Sequence, residues 1–299
     1  MGMTLALARA TAPLPTGVKR RLGMMSASAE PTSLFSLLED GSVLPTDFSR
    51  GPWDPRSLHG GPVAALLANA VEQIPADGVD WFVARLTVEL ERPVPVEPLT
   101  VLAEVTRPGR KVSIVEASIK LTATNVVLAR ARALRIRSAD VPLPIHDDEL
   151  GPLLAVEPAP PGPEHGASSG TLATEYTGFH NGGIESRFLG DPEKKVGPVV
   201  AWIRMRVPVL PTVPLTPLQR VAGAADFANG ISRVLSFDSH FFVNPDLTIH
   251  LFRPLIGEWV GMASATHHGP SGVGMTDTAV FDINGRVGSS NQSLLLDVR

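Results

Sequence analysis

Cysteine is missing from the whole chain of 299 residues. Its absence excludes disulfide bonds, catalysis by a thiolate and zinc sites built on cysteine. A chain without disulfides fits a reducing compartment, so we expect a cytoplasmic location.

Runs of basic residues, long apolar runs and several common enzyme motifs are missing as well. The formal net charge is −4, whereas nucleic-acid binding needs a concentrated basic face, so we expect no nucleic-acid partner. No stretch reaches the ~18 uninterrupted apolar residues of a membrane helix, so we expect no stable membrane insertion. The chain has no Walker loop or dinucleotide fingerprint, which argues against a nucleotide-dependent enzyme.

The chain does contain enough apolar residues for a large core. Apolar residues make up 43% and charged residues 19% of the sequence, as in globular proteins. In the first 30 residues the only apolar stretch precedes the basic residues 19–21, which reverses the order found in secretion signals. We therefore predict a disordered tail over residues 1–30.

The rest of the chain repeats one pattern twice. Residues 60–73 are small or aliphatic on nearly every face, which predicts a buried helix, and residues 81–137 alternate like an antiparallel strand meander. The same order returns from residue 216. There Thr216 and Pro217 are suited to begin a helix and Gly230 to end it, and a second meander follows.

The two meanders can be aligned at three places, LERP (90–93) with LFRP (251–254), TRPG (106–109) with THHG (266–269), and ARALRI (131–136) with NQSLLL (291–296). We predict a tail (1–30), an N-terminal repeat (31–140), a Pro- and Gly-rich linker (141–175) and a C-terminal repeat (176–299). A helix that is apolar all round must be wrapped by its sheet. The predicted fold is therefore α+β, with two helix-in-sheet repeats joined edge to edge into one continuous sheet.

Six motifs, taken in order, resemble the acyl-CoA thioesterase II type, a family with a double-hotdog fold. They are HGGPVAALLANA, ERP, AWIRMRVP, AGAADF, NPDLTIHLFRP with GEW, and the C-terminal GRVGSSNQSLLL. The resemblance implies two helix-in-sheet repeats in one chain. It also implies an enzyme that hydrolyses fatty acyl-CoA to fatty acid and CoA with no metal and no bound cofactor.

The resemblance further implies three catalytic residues that hold the attacking water, namely Asp226 on the second helix, Asn244 on the next strand and Gln292 near the C-terminus. The best-known family members carry a hydroxyl residue where this chain has Asn244, whose amide can still orient a water. Gln292 requires a one-residue gap in the alignment with those members, so Ser293 is an alternative.

The internal repeat supports this catalytic set. In the alignment of the two repeats, Asp226 falls opposite Ala68 or Asn69, Asn244 opposite Val83, and Gln292 opposite Arg132. The polar set is therefore confined to the second repeat, as expected for a duplicated site of which one copy has lost its chemistry.

The residue types suit thioester hydrolysis. Desolvation on an apolar helix is expected to raise the pKa of Asp226 and make it a better base. Substrate binding is predicted at His59, Gly60 and Gly61, where a buried helix N-terminus could hold the oxyanion and the glycines would permit close approach. No carboxylate can be assigned near His59 from the sequence, so we expect it to pack against or cap the helix. The adjacent pair His267-His268 would point to opposite faces of a strand and is not expected to bind metal.

Two other functions stay open. A hotdog hydratase or dehydratase needs a histidine with Asp or Glu near a buried helix, so a carboxylate within hydrogen-bond reach of His59 would favour it. A non-catalytic acyl-CoA or lipid-binding module would bind its ligand without releasing free thiol. Hotdog sheets commonly pair, so we expect a homo-oligomer, specifically a dimer of double hotdogs.

Overall fold

The computed structural model describes residues 31–168, 174–190 and 196–299. The disordered tail predicted for residues 1–30 lies outside the described residues. Within the described residues, no helix has the length and hydrophobicity that are needed to cross a membrane.

The described residues form thirteen strands of one antiparallel sheet. The strands are β1 (Phe35–Leu37), β2 (Val43–Pro45), β3 (Trp81–Leu90), β4 (Leu99–Arg107), β5 (Val112–Leu121), β6 (Val127–Arg137), β7 (Ile184–Leu189), β8 (Val199–Met205), β9 (His240–Val243), β10 (Asp246–Leu251), β11 (Val260–His268), β12 (Val273–Asp282) and β13 (Gly285–Val298). They are ordered β1-β2-β4-β5-β6-β3-β10-β13-β12-β11-β8-β7, and β9 pairs with β13.

The strand order has an internal two-fold symmetry whose centre lies between β3 and β10. The six strands on one side repeat, in reverse order, the topology of the six on the other side. At the seam Thr87 pairs with Thr248, and these two residues, whose hydroxyls are 3.3 Å apart, are separated by 161 positions. That separation equals the offset of the first sequence anchor, so the tertiary symmetry agrees with the alignment of the repeats.

Four helices occur in the described residues, together with three single turns. The helices are α1 (Gly60–Glu72), α2 (Gly151–Leu154), α3 (Pro217–Ala225) and α4 (Ala228–Ile231), and the turns are Asp47–Ser49, Pro163–His165 and Phe179–Gly183. α1 agrees with the predicted buried helix, and ten of its thirteen residues are buried. The α+β prediction of two buried helices in one antiparallel sheet is confirmed.

The second predicted helix is shorter than expected. Thr216 caps α3 as predicted, because its hydroxyl accepts a hydrogen bond from the Gln219 N–H at 3.2 Å. However, α3 ends at Ala225, Asp226 is its C-cap residue, and Gly230 lies inside the separate short helix α4 rather than after the end of α3. Gly230 is not among the residues with positive φ, so it does not form the left-handed cap that the sequence suggested.

The helices α1 and α3 lie antiparallel and in direct backbone contact. A Cβ added to Gly61 would lie 2.5 Å from the carbonyl oxygen of Gly223, so only glycine permits this approach. At one end of the pair the α1 C-terminus meets the α3 N-terminus, where Glu72 accepts hydrogen bonds from Thr216 (2.8 Å) and Gln219 (2.9 Å). Burial raises the pKa of Glu72 despite these two hydrogen bonds. The antiparallel arrangement brings the N-terminus of α1 to Asp226 at the other end.

Candidate active site

The site forms where the N-terminus of α1 meets the C-terminus of α3. His59, the N-cap residue of α1, places its Nδ1 atom 2.8 Å from Oδ2 of Asp226, and both side chains are almost fully buried. The expectation that His59 has no carboxylate nearby was therefore wrong. The two residues are far apart in sequence, and only the packing of one helix against the other brings them together. The site draws on both repeats rather than on the second alone.

The ring nitrogen Nδ1 also lies 3.1 Å from the backbone nitrogen of Gly61. A deprotonated Nδ1 would set its lone pair against those of the Asp226 carboxylate. We therefore assign the proton to Nδ1, which donates it to Asp226, and this leaves Nε2 as the ring nitrogen that can act on a substrate or water. Phe227 packs against the imidazole with ring centroids 4.4 Å apart and Phe179 with centroids 5.4 Å apart, which fixes the ring orientation.

Asn244 holds the second oxygen of the carboxylate. Its side-chain nitrogen donates to Oδ1 of Asp226 at 2.8 Å, so Asn244 contacts Asp226 directly although it lies on the connection between β9 and β10. Burial by itself raises the pKa of Asp226. The His59 ring and the hydrogen bonds from His59, Asn244 and the Gly61 N–H lower this pKa by more than burial raises it. The pKa of Asp226 therefore lies below its usual range. The expected raised pKa was wrong, because sequence alone showed the desolvation but not the donors.

Gln292 lies next to this cluster but turns toward the backbone of the helix. Its Oε1 accepts from the Asn229 N–H at 3.2 Å, and its Nε2 lies 3.5 Å from the Asp226 carbonyl oxygen. Ser293, the alternative, is exposed on the opposite face of β13. Of the two, Gln292 is the residue on the inner face.

Asn229 belongs to the site and was not predicted. Its side-chain nitrogen donates to Oδ1 of Asn244 at 3.4 Å, so it links Asn244 to the helix segment that carries Asp226. The sequence held one indication of this role. Asn229 is a polar residue three positions after Asp226 in an apolar segment, and this spacing places both on one helical face.

Gly60 and Gly61 serve the contact between the two repeats. A Cβ on Gly60 would lie 2.6 Å from Oδ1 and 2.7 Å from Oδ2 of Asp226, closer than real Cβ contacts. Gly60 also lines the adjoining cavity, whereas Gly61 is not among its lining residues. Gly61 instead directs its N–H to the His59–Asp226 pair and packs on α3. The predicted close approach is therefore made by Asp226 and the α3 backbone.

Replacing Gly60 with alanine is expected to lower kcat/KM about 100-fold. The added methyl group must displace the Asp226 carboxylate, and a displacement of about 1 Å in a catalytic group can lower the rate by that factor. The same overpacking should lower the free energy of unfolding by about 1–3 kcal/mol. Steady-state kinetics and urea titration measure the two effects.

Gly230→Ala is the matched control for stability. A Cβ at Gly230 would meet nothing within 4 Å. Replacing this helical glycine with alanine should therefore raise the free energy of unfolding by about 0.4–1 kcal/mol. Equal effects of the two substitutions on stability would contradict the contact between Gly60 and Asp226.

A cavity of about 1750 Å³ opens beside the polar cluster, and His59, Gly60, Asp226, Asn229 and Asn244 lie on its wall. Most of the remaining wall is apolar. Ligand pockets commonly measure about 300–1000 Å³, so this one can hold a large ligand. No three His, Asp or Glu side chains are grouped as a metal site requires in the part of the chain that the structure describes.

Comparison with protein families finds two matching models. Residues 49–136 match the acyl-CoA thioesterase N-terminal domain, and residues 155–296 match the acyl-CoA thioesterase C-terminal domain. The chain belongs to the acyl-CoA thioesterase family. No curated protein matches this family member.

Solved structures show that this thioesterase-family chain has the double-hotdog fold. A Novosphingobium aromaticivorans protein described as a thioesterase matches with TM-score 0.63 at 20% identity, covering 88% of this chain and 98% of its own. An Alicyclobacillus acidocaldarius hot dog fold protein of unknown function gives 0.64 at 14%, with 86% and 93% covered. Acyl-CoA thioesterase II of Mycobacterium marinum gives 0.58 at 17%, with 81% and 92% covered. The fold predicted from the sequence is confirmed.

Proposed function

We propose that this protein hydrolyses fatty acyl-CoA to the free fatty acid and CoA with a water activated by the His59–Asp226 pair. One observation carries the proposal. A buried histidine–carboxylate pair, 2.8 Å apart, lies on the polar part of the wall of a large, mostly apolar cavity. The membership of the thioesterase family supports the same reaction class.

The roles within the pair follow from the hydrogen bonds. A carboxylate with a lowered pKa is a weak base, but it stabilises an adjacent imidazolium well. His59 Nε2 is therefore the proton acceptor, and Asp226 holds the ring and its charge. Asn244 fixes the carboxylate, while Gln292 and Asn229 fix Asn244 and the helix segment behind it.

In the proposed reaction the water oxygen attacks the thioester carbonyl carbon, and its proton passes to Nε2 of His59. The electron pair of the carbonyl moves to oxygen, where the N–H of Gly60 at the start of α1 can donate to it. Collapse of this intermediate restores the carbonyl and breaks the carbon–sulfur bond. The sulfur takes the proton from His59, so the products are the carboxylic acid and the free thiol.

A thiol-release assay over saturated acyl-CoAs of increasing length tests the proposal. We expect release of free CoA, with kcat/KM rising with chain length until the cavity is filled. Acyl-CoA binding without thiol release would contradict a thioesterase and leave the lipid-binding module and the hydratase as candidates. The dimeric state and the cytoplasmic location predicted from the sequence belong to this proposal and await size measurement and fractionation.

A hydratase is the second candidate, because the His59–Asp226 contact is the feature that was expected to favour it. Hydration of a trans-2-enoyl-CoA consumes the conjugated double bond and leaves the thioester intact. Incubation with crotonyl-CoA distinguishes the two reactions, since a hydratase removes the enoyl absorbance without releasing thiol. Under the thioesterase proposal, any loss of crotonyl-CoA is accompanied by release of free thiol.

A further inference from the structure

The wall of the cavity carries positive charge that no other residue described by the structure neutralises. Asp54 and Glu91 both line the cavity, but Asp54 pairs with Arg56 at 2.8 Å and Glu91 with Arg130 at 2.6 Å. Arg92 and Arg233 also line it, and neither forms an ion pair with any residue that the structure describes. Among the described wall residues, apart from the His59–Asp226 pair, the charge left for a ligand is therefore positive.

Arg233 is held against an aromatic ring. Its guanidinium lies 4.8 Å from the ring centroid of Phe237. Stacking uses the flat face of the guanidinium and leaves the N–H groups at its edge to bind an anion, for which their fork matches a phosphate. Burial lowers the pKa of Arg233, and a bound phosphate would offset that cost.

The same wall presents a continuous aromatic surface. Trp53 contacts Phe237 and Phe242 edge-on at centroid distances of 5.1 and 5.8 Å, and Phe237 lies 4.8 Å from Phe242. Trp53 is 43% exposed, as is Phe241, and both lie against the Arg299 guanidinium. Exposed aromatic rings beside arginines suit the stacking of a nucleobase at a solvent-accessible mouth.

We propose that Arg233 and the aromatic surface of Trp53 and Phe237, which pack on the buried ring of Phe242, bind the phosphorylated adenosine end of coenzyme A. The proposal rests on the proposed function and names the part of the substrate that this wall selects. A terminal carboxylate on the acyl group would also need a cation, but it would not need exposed aromatic rings. The protein should therefore prefer CoA thioesters over thioesters that lack the nucleotide.

The test compares three thioesters with wild type and Arg233→Gln: decanoyl-CoA, S-decanoyl-pantetheine, and the CoA thioester of the matching dicarboxylic acid. For Arg233→Gln we expect kcat/KM on decanoyl-CoA to fall about 10- to 100-fold through KM, the loss typical of one charge-assisted bidentate contact. The rate on S-decanoyl-pantetheine should not change. Arg233→Lys should lie between wild type and Arg233→Gln on decanoyl-CoA, because it keeps the charge but not the fork.

Two variants control the experiment. Arg107→Gln makes the same charge change on the exposed end of β4 and should leave all three rates unchanged. Phe237→Leu should lower kcat/KM on decanoyl-CoA but not on S-decanoyl-pantetheine. This variant tests the aromatic rings independently of the charge. An equal loss on decanoyl-CoA and S-decanoyl-pantetheine for Arg233→Gln would overturn the proposal, as would a loss confined to the dicarboxylic substrate.

Direct binding separates this inference from the proposed activity. Calorimetry with adenosine 3′,5′-bisphosphate and with CoA should show binding to wild type and about tenfold weaker binding to Arg233→Gln. If no thioester is hydrolysed, this result still supports the nucleotide site while the proposed activity fails. Equal affinity of wild type and Arg233→Gln for both ligands would overturn the nucleotide site even in an active thioesterase.

Discussion

Asp226→Ala is expected to lower kcat for acyl-CoA hydrolysis about a thousandfold or more while the fold is kept. The substitution removes the partner of His59 Nδ1 and the acceptor for Asn244 together, and groups that act as one catalytic unit lose nearly all their effect when one is removed. Thiol release under single-turnover conditions, with substrate binding measured separately, assigns the loss to the chemical step.

The control for this variant is Asp277→Ala, which removes an exposed aspartate that also lies 2.9 Å from a histidine, His267. Its activity should equal that of wild type. Because the pKa of Asp226 is lowered in the folded state, its charge stabilises the fold above the unfolded-state pKa, and that contribution is lost as pH falls through the folded-state pKa. Asp226→Ala should therefore melt at a somewhat lower temperature at neutral pH, with an unchanged circular-dichroism spectrum. Full activity in this variant would remove Asp226 from the mechanism.

His59→Ala is expected to lower kcat about 100- to 10,000-fold, the range for loss of a general base. Imidazole added to the solution should restore part of the activity, because the vacated space lies on the cavity wall next to Asp226. A residue that only capped α1 would show no such rescue.

A double-mutant cycle tests whether the pair acts as a unit. If His59 is the base and Asp226 its partner, the double variant should be scarcely slower than either single variant. His267→Ala serves as the matched control, since it breaks an exposed pair of the same kind. Independent, multiplicative losses would instead favour direct activation of water by Asp226, as the sequence suggested.

The two sides of the duplicated site can be compared at the two ends of the helix pair. Asn69 and Asp226 each lie ten residues after the N-cap of their helix, His59 or Thr216, so Asn69 rather than Ala68 is the counterpart of Asp226. Glu72 then corresponds to Asn229. The end that holds Glu72 is filled by hydrogen bonds from Thr216 and Gln219, whereas the end that holds Asp226 opens to the cavity.

The division of the chain into a tail, two repeats and a linker stays a prediction.

The architecture was predictable because it depends on local patterns. Alternation of apolar residues identified the strands, and a segment apolar on every face could only be a helix inside a sheet. The choice of Asp226 and Gln292 as site residues came instead from the resemblance to the thioesterase family. The environment of these residues follows from neither source, since it depends on side chains that are distant in sequence.

The sequence by itself determined the α+β double repeat, the buried helices and the one carboxylate in the segment of the second helix. Only the tertiary structure decided what that carboxylate contacts. Antiparallel contact of the two helices, permitted by Gly60 and Gly61, sets His59 against Asp226 and surrounds the carboxylate with donors, so its pKa falls instead of rising. Desolvation can be inferred from neighbouring residues in the chain, but hydrogen-bond partners are supplied by the fold.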